Sequence, residues 1–391
     1  MSENSLDYKK GSDEMKKSYD VVIVGGGSMG IAAAYYVARS GHSVAVLDRD
    51  TIPNETGSHH GQTRMMRFGY SEGESYVPLV KHAYALWREL EQESNRSLYV
   101  QTGALLMGSL GSDFLNEVLH SSTTHSLPHE VLSASDIEER WPQIKLPVTF
   151  NGVLDTLAGF LLSEECVQAY KELALELGVD IFEQDAVLHV NSVAEGVEVV
   201  TEQHSFHASK VIMTAGAWTH KLLPEVELPI QPIRKTIAWF EPKEENAFDS
   251  SSFPCVVFNT SFGLYYAFPD YEGAGFKIGR HDGGQLVEPA QLNRIFGAYE
   301  EDEPELRQLL DVHVPGAAGE LKRGAVCIYD QSPDEDFIID WHPSDQRIIL
   351  TGGFSGHGFK FASVIGKILS EMALDQPLIH SIDSFKLSRF T

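Results

Sequence analysis

Apolar and polar residues near the start of the chain follow the order of a strand, a glycine turn, a helix and a second strand. From Tyr19 the sequence reads YDVVIVGGGSMGIAAAYYVARSGHSVAVLDRD. The apolar run at residues 21–24 predicts a buried strand, and the alanine-rich stretch after it predicts a helix that Gly41 closes. Val44–Leu47 predict a second strand that ends at Asp48. These elements together predict a complete βαβ unit.

The pattern changes in the middle of the chain and returns at the end. Amphipathic spacing predicts helices at residues 76–90 and 164–178. Residues 228–330 mostly alternate between apolar and polar and are rich in aromatic side chains, which predicts an antiparallel sheet. The last segment, RIILTGGFSGHGFKFASVIGKILSEMAL, again reads as strand, glycine loop and helix. We therefore predict an α/β fold, α+β overall, in which a discontinuous Rossmann-like domain receives an inserted, mostly antiparallel substrate domain.

Chain length supports this division, because 391 residues with 42% hydrophobic content suffice for two packed lobes. We assign to the nucleotide-binding domain residues 19–95, 160–227 and 335–391. We assign to the substrate domain residues 96–159 and 228–334. Residues 1–18 are polar and mixed in charge, so we predict a disordered tail without a secretion signal.

Composition narrows the class of partner. The formal net charge of -26 opposes binding to nucleic acid or to an anionic membrane surface. No apolar run reaches the length of about 18 residues that a membrane-spanning helix requires. Cys166, Cys255 and Cys327 form no CxxC pair, so the sequence indicates neither a disulfide framework nor a zinc knuckle. We expect a cytoplasmic protein without a nucleic-acid or membrane partner.

A dinucleotide site is predicted at the first glycine turn. Gly25, Gly27 and Gly30 satisfy GxGxxG directly between a strand and a helix. The first glycine permits the tight turn, the second lets a pyrophosphate approach the backbone, and the third allows close packing of helix on strand. Asp48 lies at the ~20-residue offset where an acid accepts hydrogen bonds from ribose hydroxyls, which disfavours NADP. FAD and NAD both fit this element.

Separate motifs along the chain carry a family resemblance. They are GGGSMG at Gly25, GSHHGQTRMMR at Gly57, AGAW at Ala215, YYAFP at Tyr265, FKIGRH at Phe276, KRGAVCIYDQSPDEDFIID at Lys322 and GFSGHGFKF at Gly353. In this order, from about Tyr19 to Thr391, they resemble the monomeric sarcosine oxidase and N-methyltryptophan oxidase family of the glycine-oxidase-like flavoproteins. The resemblance implies FAD, a covalent thioether from a cysteine to the flavin, a monomer, and oxidation of a small secondary amino acid by dioxygen.

The resemblance also implies cofactor-binding residues. Besides the glycines and Asp48, these are His60, Thr63, Arg64 and Cys327. Cys327 matches the flavin-linked cysteine, and Lys322 and Arg323 would favour its thiolate form if they face it. Adjacent His59 and His60 project differently and have no third ligand at a suitable spacing, so we predict no metal site.

Substrate-handling residues follow from the same resemblance. Arg67 and Lys360 match the pair that binds the substrate carboxylate, since an arginine offers a planar fork and a lysine a point charge. Lys277 matches the lysine beside the flavin where dioxygen is reduced, and a fixed cation stabilises the developing negative charge there. The residues that match the cavity lining are Tyr266, His281 and Tyr329.

The implied reaction is oxidative demethylation of an N-methyl amino acid, of the N-methyltryptophan or sarcosine type, to the primary amino acid, formaldehyde and hydrogen peroxide. The stretches QPIRKTIAWF, KIGRHDGGQ, YDQSPDEDFIID and LSRF favour the N-methyltryptophan type. Gln62 and Phe68 stand where the family commonly has Asp and His, so we expect an altered entrance beside Arg67. The alternatives are an oxidase of cyclic imino or glycated amino acids and, in another class, a flavin-binding protein without turnover.

Overall fold

The computed structural model describes residues 17–390. In this part of the chain the α-helices are α1 (Ser28–Arg39), α2 (Tyr76–Ser94), α3 (Asp113–Thr124), α4 (Ala134–Arg140), α5 (Ser163–Glu176), α6 (Thr219–Leu222), α7 (Pro304–His313) and α8 (Ala362–Ala373). The strands are β1 (Lys17–Val24), β2 (Val44–Leu47), β3 (Thr63–Met66), β4 (Tyr99–Gln101), β5 (Ala104–Ser109), β6 (His129–Ser133), β7 (Phe150–Asp155), β8 (Gly159–Leu162), β9 (Asp180–Phe182), β10 (Val187–Val193), β11 (Gly196–Thr201), β12 (Ser205–Met213), β13 (Gln231–Phe240), β14 (Cys255–Thr260), β15 (Gly263–Phe268), β16 (Phe276–Arg280), β17 (Gln285–Leu286), β18 (Leu321–Gln331), β19 (Ile338–His342) and β20 (Asp345–Gly352).

The structure describes only the last two residues of the predicted N-terminal tail. Residues 1–16 lie outside the described residues. Lys17 and Ser18 belong to β1, where they pair with Phe206 and His207 of β12, so the tail prediction was wrong for these two positions. Backbone pairing with β12 extends the strand beyond its apolar core, which the hydrophobic pattern alone does not indicate.

An eight-stranded sheet is built around the first strand, in the order β10-β11-β12-β1-β2-β9, with β20 beside β12 and β19 beside β20. Its central strands β2, β1, β12 and β20 run parallel. Val22 and Ile23 of β1 are fully buried. Parallel strands covered on both faces read as continuous apolar runs, which explains the pattern seen at residues 21–24.

Helix α8 from the end of the chain packs against helix α1 from its start. The approach is close, because a Cβ placed on Gly366 of α8 would lie only 2.5 Å from the Cβ of Ala32. Ala32, Ala33 and Ala34 of α1 are fully buried. Small residues on both helices permit this contact, and it joins the two ends of the sequence into one nucleotide-binding fold. The predicted discontinuous Rossmann-like architecture is thereby confirmed.

A nine-stranded sheet forms the second large layer, in the order β17-β13-β16-β15-β14-β5-β7-β6, with β18 beside β13. Its pairings are antiparallel except for the parallel pair β5 and β14. Phe240, Phe248, Phe253 and Phe276 pack in its core. The predicted, mostly antiparallel substrate layer is confirmed, while the exact domain boundaries stay predictions.

A small third sheet, β3-β8-β4, contains the strand that directly precedes Arg67. Strand β3 begins at Thr63 and pairs with β8 through Leu162. Within residues 17–390, no helix is both long enough and apolar enough to cross a bilayer.

Candidate active site

A cavity of about 490 Å³ lies where the strand ends of the eight-stranded sheet meet strands β15 and β18 of the nine-stranded sheet. Most predicted site residues line it, namely Gly25, Gly27, Asp48, Arg64, Arg67, Tyr266, His281, Cys327, Tyr329 and Lys360. The other predicted residues, Gly30, His60, Thr63 and Lys277, are absent from its lining. His60 and Lys277 are buried behind this lining, where His60 contacts the cavity residue Cys327.

The glycine turn has no room for side chains at two positions. Gly25 has a φ of +99°, and a Cβ there would lie 2.5 Å from the carbonyl oxygen of Thr214. A Cβ on Gly30 would lie 1.9 Å from the carbonyl oxygen of Gly25. Gly27 precedes α1 and, with Ser28 and Met29, lines the cavity. The first turn of α1 carries no acidic side chain, so this helix start suits a phosphate group.

Asp48 holds the glycine turn in place. Its Oδ2 accepts a hydrogen bond from the Gly26 N–H at 2.7 Å, and its Oδ1 accepts one from the Asp50 N–H at 2.8 Å. Burial raises the pKa of Asp48, and these two backbone donors counter part of that rise. The hydrogen bond from Asp48 to a ribose, expected from the sequence, stays a prediction.

The Cys327 thiol is buried beside a histidine. Its Sγ lies 3.4 Å from Nε2 of His60, which also lies 3.1 Å from the carbonyl oxygen of Val326. Burial raises the pKa of the Cys327 thiol, and the positive charges of Arg64 and Lys277 oppose that rise. Burial also lowers the pKa of His60 to about 4, so its ring is neutral at pH 7.

Lys322 and Arg323, the cations nearest to Cys327 in sequence, do not supply this charge. Lys322 donates to the carbonyl oxygen of Gly273 at 3.0 Å, and the Arg323 guanidinium lies 4.8 Å from the centre of the Trp239 ring. Four residues of extended strand span roughly 13 Å, which keeps Arg323 away from the thiol. The suggestion that these two residues favour the thiolate was therefore wrong.

Lys277 lies in a cage of oxygen atoms. Its Nζ donates to the carbonyl oxygens of Gly61 and Thr63, both at 2.7 Å, and to Oγ1 of Thr63 at 3.1 Å. Three acceptors match the three N–H bonds of an ammonium group. Burial lowers the pKa of Lys277 and the Arg64 charge lowers it further, while Glu164 opposes both effects. The structure thus links Thr63 to Lys277.

Arg67 and Lys360 are two buried cations that both lie over the Tyr70 ring, 4.5 Å and 5.0 Å from its centre. The Arg67 guanidinium forms an ion pair with Glu72 and donates to the carbonyl oxygen of Gly69 at 3.0 Å. Lys360 Nζ donates at 3.0 Å to the hydroxyl of Tyr70. Burial lowers the pKa of Lys360, and the charge of Arg67 lowers it further.

Glu72 is a charged cavity residue that the sequence analysis missed. It lines the cavity, and although burial opposes ionisation, the Arg67 and Lys360 charges hold the pKa of Glu72 below its usual range. An anionic ligand at Arg67 therefore has to compete with this carboxylate. A glutamate five residues after an arginine in a loop gives no sequence signal that the two side chains meet.

Three aromatic side chains form a wall of the same cavity. The rings of His281 and Tyr329 have centroids 5.9 Å apart, and Tyr266 lies on the neighbouring strand β15. Burial lowers the pKa of His281 to about 4, with the Lys235 and Arg67 charges adding to the effect and Glu72 opposing it. The wall is thus uncharged at pH 7.

Gln62 and Phe68 are both absent from the cavity lining. Phe68 is buried and packs edge-on against Tyr84 with ring centroids 5.3 Å apart. The backbone N–H of Gln62 donates to the carboxylate of Glu164. Phe68 therefore packs into the core and neither side chain lines the cavity, so the altered entrance expected from these two positions stays a prediction without support from their contacts.

Unpartnered polar atoms provide a test of whether the cavity fits a flavin nucleotide. Oδ2 of Asp330 and Oγ1 of Thr351 are buried, line the cavity and have no protein partner. A buried polar atom without a partner costs about 1–3 kcal/mol, which a polar ligand along this wall removes. FAD carries hydroxyl groups and fits. Within residues 17–390, no group of three or more His, Cys, Asp or Glu side chains is arranged to hold a metal ion.

Comparison with known proteins agrees with this geometry. Residues 20–372 match the family described as FAD dependent oxidoreductase. The chain is 41% identical over 378 residues to monomeric sarcosine oxidase of Arthrobacter sp. (strain TE1826), covering 96% of this chain and 97% of that protein. It is 40% identical over 373 residues to N-methyl-L-tryptophan oxidase of Yersinia pestis (strain Pestoides F), covering 95% and 99%.

Solved structures show the same architecture. NikD, an unusual amino acid oxidase essential for nikkomycin biosynthesis, has a TM-score of 0.84 at 25% identity, covering 95% of this chain and 98% of that one. Glycine oxidase from Geobacillus kaustophilus shares the fold, with a TM-score of 0.82 at 19% identity over 96% and 99%. This chain therefore belongs to the FAD dependent oxidoreductase family, among the flavin-dependent oxidases related to monomeric sarcosine oxidase and N-methyl-L-tryptophan oxidase.

Proposed function

We propose that this protein oxidatively demethylates a secondary N-methyl amino acid. The overall reaction consumes dioxygen and water and yields the primary amino acid, formaldehyde and hydrogen peroxide. The observation that carries the proposal is the pair of buried cations, Arg67 and Lys360, in the same cavity as Cys327. A carboxylate beside a redox cofactor is the ligand that such a pair favours. The names of the two curated relatives support an N-methyl amino acid as substrate.

Binding begins with the carboxylate of the amino acid. The Arg67 fork takes it in two parallel hydrogen bonds, and Lys360 adds a point charge. Glu72, which pairs with Arg67 in the absence of substrate, is displaced. The rings of Tyr266, His281 and Tyr329 then exclude water from the N-methyl group, so that the neutral amine is held in an apolar environment.

The cofactor is FAD, which supplies the two-electron acceptor for the oxidation and returns to its oxidised form with dioxygen. We propose that it is attached through a thioether to Cys327, whose thiolate form the Arg64 and Lys277 charges favour. The ammonium of Lys277 stabilises the negative charge that develops on dioxygen. The name of the Arthrobacter relative supports a monomer.

The apolar part of the cavity supports a large side chain on the substrate. Met65, Val257, Leu264 and Phe268 line it together with the aromatic wall. Buried apolar surface favours an aromatic amino acid by about 25 cal/mol per Å², so we favour the N-methyltryptophan type over sarcosine. Cyclic imino acids and glycated amino acids are the alternative substrate classes, and a flavin-binding protein without turnover is the alternative of another kind.

A substrate panel tests the proposal. Purified protein is mixed without oxygen with N-methyltryptophan, sarcosine, a cyclic imino acid and a glycated amino acid, and flavin absorbance is followed. We expect rapid bleaching with N-methyltryptophan and, after oxygen is admitted, one hydrogen peroxide and one formaldehyde for each amine consumed. Flavin that stays oxidised with all four compounds contradicts the proposal and favours the binding protein.

Replacing Arg67 by alanine should weaken substrate binding. Loss of a charge-assisted bidentate pair raises the dissociation constant roughly 100-fold, while flavin content stays at the wild-type level. Substrate titration of the flavin absorbance measures this constant. Arg67→Lys is the matched control, because it keeps the charge without the planar fork. Its dissociation constant should lie between those of the wild type and Arg67→Ala. Unchanged affinity in Arg67→Ala refutes the carboxylate assignment.

A further inference from the structure

Lys235 is a buried lysine that the proposed reaction does not use. It lies in β13 with 3% of its surface exposed. Its Nζ donates to three consecutive carbonyl oxygens, of His281 at 2.6 Å, Asp282 at 2.8 Å and Gly283 at 2.7 Å. An ammonium group has three N–H bonds, so every one of them is used by this turn.

Lys235 does not itself line the cavity, but its side chain contacts Tyr329 and the backbone of His281, which do. Lys235 pairs with Cys327 in the antiparallel register of β13 and β18, so the two side chains leave the same face of the sheet. Its Nζ lies 5.0 Å from the centre of the Tyr329 ring. The lysine thus connects the strand of Cys327 and Tyr329 to the turn that follows β16.

The turn itself is shaped around the lysine. Gly283 and Gly284 have φ values of +64° and +96°, in the region that favours glycine. A Cβ on Gly284 would lie 2.7 Å from the carbonyl oxygen of Arg234 and 3.1 Å from Cδ of Lys235. The three carbonyl groups of the turn thus meet at one buried ammonium, and removal of Lys235 takes away the donor that ties the turn to β13.

We propose that Lys235 is a positioning residue for substrate recognition, which holds the turn at residues 281–283 so that His281 stays against Tyr329 in the cavity wall. The inference rests on the proposed function, since it concerns the substrate of that same site. The backbone N–H of His281 also donates to the carbonyl oxygen of Leu264 at 2.7 Å. His281 is therefore held at its N–H by β15 and at its carbonyl group by Lys235. Without Lys235, only the hydrogen bond from its N–H remains.

The test compares Lys235→Met with Lys322→Met in the flavin-loaded enzyme. Lys322 is a matched control, because it donates to the carbonyl oxygen of Gly273 at the far end of the same strand pair, away from the cavity. We expect Lys235→Met to raise KM roughly tenfold, because His281 loses the hydrogen bond that holds its carbonyl group, with kcat changed less than about twofold. Lys322→Met keeps both constants. Equal effects of the two variants, or a fall in kcat at constant KM, overturn the proposal.

A double-mutant cycle shows whether Lys235 acts through His281. In a His281→Asn background, Lys235→Met should raise KM by less than about twofold, because coupled residues are not additive. A full tenfold effect in that background overturns the proposal. Lys235→Arg places a planar fork where three carbonyl groups converge on one point, so we expect it to recover only part of the loss. Flavin content and thermal melting show whether Lys235→Met folds. If it does not fold, Lys235→Arg replaces it in the cycle, and its effect on KM is again compared with and without His281→Asn.

Binding without turnover separates this inference from the proposed function. Phenylacetate carries a carboxylate and an apolar ring but no oxidisable amine, and its titration is read from the flavin absorbance. We expect Lys235→Met to weaken phenylacetate binding roughly tenfold as well. If no amine in the panel is oxidised while this loss is seen, the proposed function fails and the role of Lys235 stands. Unchanged phenylacetate binding overturns the role of Lys235 even in an active oxidase.

Discussion

The Cys327→Ser protein is expected to lose all covalently bound flavin. A thioether requires a sulfur nucleophile, and a serine hydroxyl with its much higher pKa does not replace the thiolate. Cys327 also lies beside the Arg64 and Lys277 charges, which favour ionisation of the buried thiol. After acid precipitation we expect wild-type protein to stay yellow, with the colour on a single peptide that contains Cys327. The Cys327→Ser precipitate should be white, with all flavin in the supernatant.

Cys255 is the matched control for this experiment. It is also a fully buried thiol, on β14 next to Thr102, and burial raises its pKa to about 12. Cys255 does not line the cavity, so Cys255→Ser should keep its yellow precipitate. Covalent flavin in Cys327→Ser, or complete release of flavin from the denatured wild-type protein, contradicts the assigned linkage.

The Lys277→Met protein is expected to react slowly with dioxygen. Removal of one preorganised charge from a site of growing negative charge costs about 10²- to 10³-fold in rate. The ammonium of Lys277 donates to the oxygens of Gly61 and Thr63 behind the cavity wall. Neither Arg67 nor Lys360, the proposed substrate-binding cations, is among these contacts. Flavin reduction by substrate without oxygen should therefore change only a few-fold. Stopped-flow absorbance measures the two half-reactions separately.

Lys322→Met serves as the control for the loss of a lysine in the same sheet, and it should leave both half-reactions unchanged.

The pH dependence of flavin oxidation provides a second test of the Lys277 charge. Burial lowers the pKa of Lys277, so the ammonium loses its proton at a lower pH than an exposed lysine does. The oxidation rate of reduced wild-type enzyme should fall as the pH rises through that value, and the rate of Lys277→Met should not. Equal slowing of both half-reactions refutes the role in oxygen reduction.

The sequence by itself determined the parts of this protein that depend on local periodicity. A βαβ unit is specified by the apolar run before Gly25, the spaced glycines and the second strand at Val44–Leu47. Each element buries its own apolar face, and the turn has no room for a side chain at Gly25 or Gly30. The family motifs determined the cofactor class, and most of the residues that they named line the cavity. For all of these, the information lies within a few neighbouring positions.

Only the tertiary structure decided which charges meet. No periodicity encodes the contacts between loops and strands. Examples are the ion pair of Glu72 with Arg67, the oxygen atoms around Lys277 and the hydrogen bonds of Lys235 to the turn after β16. Proximity in sequence was misleading for Lys322, because an extended strand carries its side chains apart by about 3.3 Å per residue. Burial is likewise a property of the folded chain, and burial sets the direction in which the pKa values of these lysines move.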